Sequence, residues 1–188
     1  MTGEDHPHVL FLCTGNAARS VMAGAMFPRL APGTRVSSAG THVIEGQPMS
    51  SRTRAALAEL EVEVRSHRSR QIRHADLGDV DLVVGMAMEH VRYMRRTHPE
   101  AAARTATLKR LVRELPGAAG STLTEKLASL HLDDVELEPW EDVEDPAGAE
   151  LPVFLACARE IQDLLGRLPS CSCLSASSPY PPPRQGRP

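Results

Sequence analysis

The chain is poor in aromatic residues: one Trp, two Tyr and three Phe in 188 residues, 3% of the whole. Its core must therefore be aliphatic, built from Leu, Val, Ala and Met. A basic surplus is also missing. The 21 Lys and Arg against 24 Asp and Glu leave a formal charge of −3, which argues against a generic polyanion-binding face and so against nucleic acid as a partner. No apolar run nears the roughly 20 residues of a bilayer span, so no membrane association is expected. The opening Met-Thr-Gly-Glu-Asp is acidic and lacks the basic-then-apolar layout of an export signal. The four cysteines then read as thiols in a reducing compartment rather than as a disulfide frame. What remains is a cytoplasmic enzyme or binding domain. The length fits one domain with a short tail.

Residues Pro169 to Pro188 hold six of the fifteen prolines and five serines. Such a composition buries too little apolar surface to offset the entropy of ordering it. The segment 169–188 reads as a disordered tail carrying Cys171 and Cys173, and 1–168 as the folded domain. Within that domain apolar runs alternate with helical periods. Val9-Leu10-Phe11-Leu12 and Leu82-Val83-Val84 are short continuous runs of the kind found in buried parallel strands. Thr34 to Ser38 and Thr105 to Leu108 are weaker strand candidates. Helical spacing predicts helices near 20–30, 50–60, 88–96, 108–115, 123–130 and 150–168. An acidic loop from Asp133 to Asp145 precedes the last of them. Strands alternating with helices imply crossover units, hence an α/β fold with a parallel sheet covered on both faces.

The chemistry concentrates in Cys13-Thr14-Gly15-Asn16-Ala17-Ala18-Arg19-Ser20. A buried strand ends at a cysteine and a helix begins near Arg19. That order aims successive backbone N–H groups and a helix N-terminus into one concavity, an anion site. Gly15 is expected to allow a tight turn and leave room for the anion. Arg19 adds a planar guanidinium suited to phosphoryl oxygens. The same positive field favours the thiolate of Cys13, and Ser20 is placed to hydrogen bond the sulfur. Asn16 can brace the loop through its amide. One loop would thus supply nucleophile, dianion binding and transition-state stabilisation. Asp145 suits the proton donor that an oxygen leaving group needs. It precedes Pro146 in a loop, and its acidic neighbours Glu141, Asp142 and Glu144 favour a protonated carboxyl. The remaining carboxylates of that loop read as solvated.

The Cys-Thr-Gly-Asn-x-x-Arg-Ser segment, followed by Met22-Ala23, resembles the low-molecular-weight protein-tyrosine-phosphatase family. The resemblance continues through Ser37 to Gly40, Ser66 to Ile72, Asp81 to Met86 and Asp142 to Gly148. It implies a single three-layer domain, with a four-stranded parallel sheet flanked by helices and a phosphate loop between the first strand and first helix. It implies Cys13 as nucleophile, Arg19 as phosphate binder and Asp145 as general acid, with residues 14–18 and Ser20 around the phosphate. It matches Asn16, Ser20, Ser38 and His67 to residues that brace the loop from behind. Read from the residues alone, His67 has the lesser alternative of an exposed polar residue ahead of a helix, and Ser38 is equally a turn residue.

The chain departs from the family pattern at three places. Ala147 follows Asp-Pro where an aromatic is common, which weakens the case for phosphotyrosine specifically. Ala18 replaces a second cysteine that would trap an oxidised nucleophile as a disulfide. Ala87 stands where an acidic residue is common. Cys157 reads as packing, and Trp140 as a core anchor or a pocket wall. His6-Pro-His8 reads as a solvated lead-in rather than a metal site.

These features point to a phosphomonoester hydrolase, most directly a protein-tyrosine phosphatase, needing neither metal nor other cofactor. Its substrate would be a phosphorylated protein or a small phosphomonoester. The alternatives are an arsenate reductase drawing on an external thiol, since Gly85 to Arg96 holds no cysteine, and a non-catalytic phosphate-binding module. Oligomeric state is not legible.

Overall fold

The computed structural model describes residues 7–64 and 66–168. The tail from 169 onward, with Cys171 and Cys173, lies outside them, as does His6. Four strands form one parallel sheet: β1 (His8–Cys13), β2 (Arg35–Gly40), β3 (Leu82–Gly85) and β4 (Thr105–Thr107), in the order β2-β1-β3-β4. The helices are α1 (Arg19–Leu30), α2 (Ser51–Glu59), α3 (Met88–Thr97), α4 (Leu108–Glu114), α5 (Leu123–Ser129) and α6 (Leu151–Arg167). Strand β2 runs two residues past the expected end at Ser38, because Ala39 and Gly40 continue the register opposite Leu12 and Cys13.

Strand β1 is central and shows why the fold closes on an aliphatic core. Its alternate side chains point to opposite faces. Val9, Phe11 and Cys13 join a cluster with Phe27 of α1, Leu57 of α2, Leu111 of α4 and Ile161 of α6. Leu10 and Leu12 face the other way, against Val83, Leu77 and Met94 of α3. The scarce aromatics are used centrally: Phe11 and Phe27 meet edge to face at 5.4 Å. Cys13 therefore ends a buried strand with its sulfur on the α1 side of the sheet.

The chain moves from β1 outward to β2, then crosses back to place β3 on the opposite flank of β1. Ligands of open α/β sheets bind where such a reversal opens a crevice at the carboxyl ends of the strands. Here that reversal falls between β1 and β3, beyond Cys13 and Gly85.

His8 is a correction. It begins β1, with its amide donating to Asp81 Oδ2 at 2.7 Å and its ring Nε2 2.8 Å from Ser37 Oγ. A lead-in would be solvated, but the parallel register opposite Arg35 draws this residue onto the sheet. No helix among the described residues is long and apolar enough to cross a membrane.

Candidate active site

Side chains of Ser50, Thr107 and Thr122 cap α2, α4 and α5, each accepting a bond from a first-turn amide. Helix α1 starts after Ala18 with no side-chain cap and no acidic residue in its first turn. Its N-terminal amides therefore face the crevice with the positive end of the helix behind them.

The loop 13–18 is shaped by where its carbonyls go. Cys13 O accepts from Thr41 N at 2.9 Å and Thr14 O from His42 N at 3.0 Å. Asn16 O accepts from His67 Nε2 and Ser69 Oγ, both at 2.7 Å. Ala17 O accepts from Thr53 Oγ1 at 2.8 Å and Ser50 N at 3.3 Å. The C=O and N–H of a trans peptide unit point in opposite directions. The N–H groups of Thr14, Gly15, Ala17 and Ala18 are thereby turned away from the frame, toward the concave side. Gly40 lets this frame come close: a Cβ there would lie 2.5 Å from Thr14 O and 3.0 Å from Asn16 N.

Asn16 is the keystone: it, and not Gly15, takes the left-handed turn, while Gly15 leaves the open space expected of it. The left-handed residue is Asn16, φ 49°, whereas Gly15 adopts no positive φ and sits in open space. Asparagine tolerates that conformation when its side chain is locally bonded. Here Nδ2 donates to Ser20 Oγ at 3.0 Å and Ser38 Oγ at 3.1 Å, while Oδ1 accepts from Arg70 N at 3.1 Å. Ser38 and His67 both meet this residue, so neither is a mere turn or surface residue. Ser69, Arg70 and Thr53 complete the frame; their only signal in the sequence is proximity to His67 or to the start of a helix.

Cys13 is buried, with Ser20 Oγ 2.9 Å from its sulfur and the Asn16 amide donating to it at 3.3 Å. Arg19 is also buried and reaches across the crevice. It donates through Nη1 to Val143 O at 3.1 Å and through Nη2 to Asp145 Oδ2 at 2.5 Å. Asp145 is 45% exposed at its side chain, and its Oδ1 accepts from Ala147 N at 3.1 Å. Arg19 and Asp145 therefore meet although 126 positions separate them, at the end of the loop that Cys13 opens.

The acidic loop is not simply solvated. Glu141 is fully buried and takes Arg110 Nη2 at 2.5 Å, Arg110 Nε at 3.0 Å and Thr107 Oγ1 at 2.7 Å. Burial alone would raise its carboxyl, but the bonds from Arg110 hold it below the ordinary glutamate value. Asp142 accepts from Met88 N at 2.7 Å, at the start of α3. Two of the carboxylates expected to favour protonation of Asp145 are thus already engaged elsewhere. Trp140 is half-buried, with Arg113 stacked 3.9 Å from its ring centre, so it is a cation–π partner rather than a core anchor or pocket wall. Cys157 packs beneath the loop 3.6 Å from Glu144 O, and burial pushes its thiol up to about 12. That keeps it an inert thiol.

Glu89 and His90 went unread in the sequence. His90 is fully buried against the phosphate loop, and Glu89 accepts from Thr14 Oγ1 at 2.9 Å. Away from the crevice, His74, His98 and Glu100 bring one donor atom each within 4.8 Å of one another. Glu100 Oε1 lies 2.8 Å from His74 Nδ1 there, as in an exposed ion pair.

A phosphate loop closing a parallel strand, with a buried cysteine at its start and an uncapped helix after it, defines a cysteine-based phosphomonoester hydrolase. Residues 8–121 match the sequence profile of the family described as low molecular weight phosphotyrosine protein phosphatase. The chain belongs to that family. It is 30% identical over 161 residues to a protein-arginine-phosphatase of Geobacillus stearothermophilus, covering 85% of this chain and 92% of that protein. The solved structure of a YwlE arginine phosphatase from the same organism aligns over 87% of this chain and 91% of its own, with TM-score 0.69. A low molecular weight protein tyrosine phosphatase from T. tengcongensis, 32% identical, aligns over 87% and 98% with TM-score 0.69.

Proposed function

We propose that the protein hydrolyses phosphorylated protein side chains through a cysteinyl-phosphate intermediate, and that phosphoarginine is its preferred substrate. The observation that supports the chemistry is the pairing of Arg19 with Asp145 at the end of the loop that the buried Cys13 opens, with Ser20 Oγ 2.9 Å from the sulfur. The Cys13 thiolate attacks phosphorus in line, forming S–P while the bond to the leaving atom breaks. Asp145 gives that atom its proton. Water then attacks the cysteinyl phosphate, Asp145 takes the proton back, and inorganic phosphate leaves with the thiolate restored. The Arg19 guanidinium and the inward amides of Thr14, Gly15, Ala17 and Ala18 hold the equatorial oxygens through both steps. Ser20, 2.9 Å from the sulfur, stabilises it as leaving group in the second step. Asn16, Ser38 and His67 act indirectly, by fixing the loop.

Phosphoarginine is favoured on two grounds. Ala147 offers no ring to pack on a phosphorylated phenol, and the Geobacillus relative named for arginine matches nearly its whole length. Phosphotyrosine is the second reading, supported by the T. tengcongensis relative.

The test is hydrolysis of a chromogenic aryl phosphate from pH 5 to 8 without added metal, followed by phosphoarginine and phosphotyrosine peptides. Cys13→Ser should abolish turnover. Asp145→Asn should lower it about 10²- to 10⁴-fold, the usual worth of a general acid. A wild-type enzyme that binds phosphate and turns over none of these substrates would contradict the proposal.

A further inference from the structure

The turn after β3 carries a hydrogen-bonded relay that the phosphoryl chemistry above does not use. His90 is fully buried in the first turn of α3. Ala87 N–H donates to its Nδ1 at 2.9 Å, so the ring proton sits on Nε2. That nitrogen lies 3.1 Å from Thr14 Oγ1 and 3.3 Å from Glu89 Oε1. With its oxygen accepting from His90, the Thr14 hydroxyl donates to Glu89 Oε1 at 2.9 Å. Burial, helped by the charge of Arg19, pushes the His90 imidazole down to about 3, so the ring is neutral at working pH and the relay keeps one polarity. Its product is a carboxylate, 63% exposed at its side chain, tethered to the residue next to Cys13. By chain geometry Glu89 Oε1 stands within about 9 Å of the Cys13 Cα. Among the described residues Glu89 makes no ion pair with a lysine or arginine. A pinned carboxylate at the mouth of an anion site, with no cation answering it, is out of place unless the substrate brings one.

Resting on the phosphatase reading above, we propose that Glu89 is a specificity-determining residue that receives a cationic leaving group, and that His90 is the positioning residue that sets it through Thr14. The leaving groups differ in charge. A phenol protonated by Asp145 departs neutral. A protonated phosphoguanidine is already a cation: its N–P bonding pair goes to nitrogen, that nitrogen takes one proton from Asp145, and the group departs as a guanidinium cation. The leaving side is thus cationic, before and after cleavage, in one case only, beside phosphoryl oxygens held by Arg19 and the loop amides. A carboxylate at the rim attracts that cation from encounter to departure, which raises kcat/KM for the phosphoguanidinium and does nothing comparable for the phenol. The relay fixes the Glu89 side chain before the substrate arrives, so little side-chain freedom is lost on binding.

The experiment compares kcat/KM for phosphoarginine and phosphotyrosine in one peptide sequence, at low and high ionic strength. The wild-type arginine-to-tyrosine ratio should fall as salt screens the rim carboxylate. Glu89→Gln should lower that ratio about three- to tenfold, the range of a partly exposed ion pair, and flatten its salt dependence. Thr14→Val should lower the ratio too, and less than additively with Glu89→Gln, because both break one relay. His90→Gln, which returns an N–H near the Nε2 position, should keep more of the ratio than His90→Phe, with thermal melts establishing that each variant folds. An active enzyme whose ratio Glu89→Gln leaves unmoved overturns the proposal. So does a wild type that hydrolyses only the phosphotyrosine peptide. A wild type that turns over neither peptide overturns the phosphatase reading itself, and the proposal falls with it.

Discussion

Asn16 shows how much of the site depends on one small polar residue. It takes the left-handed conformation, and its side chain ties β2 and the segment after residue 65 to the phosphate loop. Replacing it with alanine keeps the strained backbone and removes three bonds, to buried Ser20 and half-buried Ser38 and Arg70. Asn16→Ala should lose about 2 kcal/mol of stability and fall about tenfold or more in kcat/KM. Asn16→Gly, which relieves only the backbone, should recover stability and little activity. A thermal melt paired with aryl phosphate kinetics reads both. At this scale Cys13, Arg19 and Ser20 were legible because they are near neighbours whose types declare an anion site. Ser38 and His67 were half legible, through the resemblance alone. Glu89 and His90 were not, since their partner Thr14 is 75 and 76 positions away and only the strand order brings them together.

Among the elements, the acidic loop before α6 matters most, because it carries Asp145. Its composition reads as solvated, yet Glu141 anchors it beneath β4 and α4. Composition cannot show this, as the partner Arg110 lies on a helix that the sequence marks only as amphipathic. Breaking one partner of a buried ion pair leaves the other charge uncompensated. Glu141→Gln should therefore destabilise the protein by about 3 kcal/mol and lower kcat by loosening the loop. Inhibition by phosphate, which reports on Arg19 and the loop amides, should change little. Equal losses in kcat and phosphate affinity would show instead that Glu141 supports the whole crevice. The helix and strand periods were otherwise read closely. Strand β2 was cut short because Ala39-Gly40 looks like a stop, whereas Gly40 is needed where the strand passes the phosphate loop.

At the level of the molecule, the fold class follows from alternating apolar runs and helical periods. The strand order β2-β1-β3-β4 does not, and it alone puts the crevice between β1 and β3. The same topology buries His90, with a consequence for stability. Its folded value is about 3 against an ordinary 6.5. Between those values the unfolded chain takes up a proton that the folded chain refuses, so stability falls as pH drops from about 6.5 toward 3. Glu141 acts in the same direction lower down: its carboxyl is held below the ordinary 4.5, and its contribution is lost as pH falls below that value. Denaturant midpoints from pH 7 to pH 4 should decline throughout, with His90→Gln removing the part that begins near 6.5. A midpoint flat from 7 to 5 would contradict a neutral, buried His90.

In the proposed chemistry Cys13 carries the phosphoryl group between substrate and water. This is tested most directly by quenching Asp145→Asn in acid during turnover of an aryl phosphate and locating the phosphoryl group by mass spectrometry. Loss of the base that activates water should let the intermediate accumulate. One phosphoryl group is expected on the peptide containing Cys13, and none when Cys13→Ala is added. Turnover with no trapped phosphoryl group, or with the group on another residue, would contradict it.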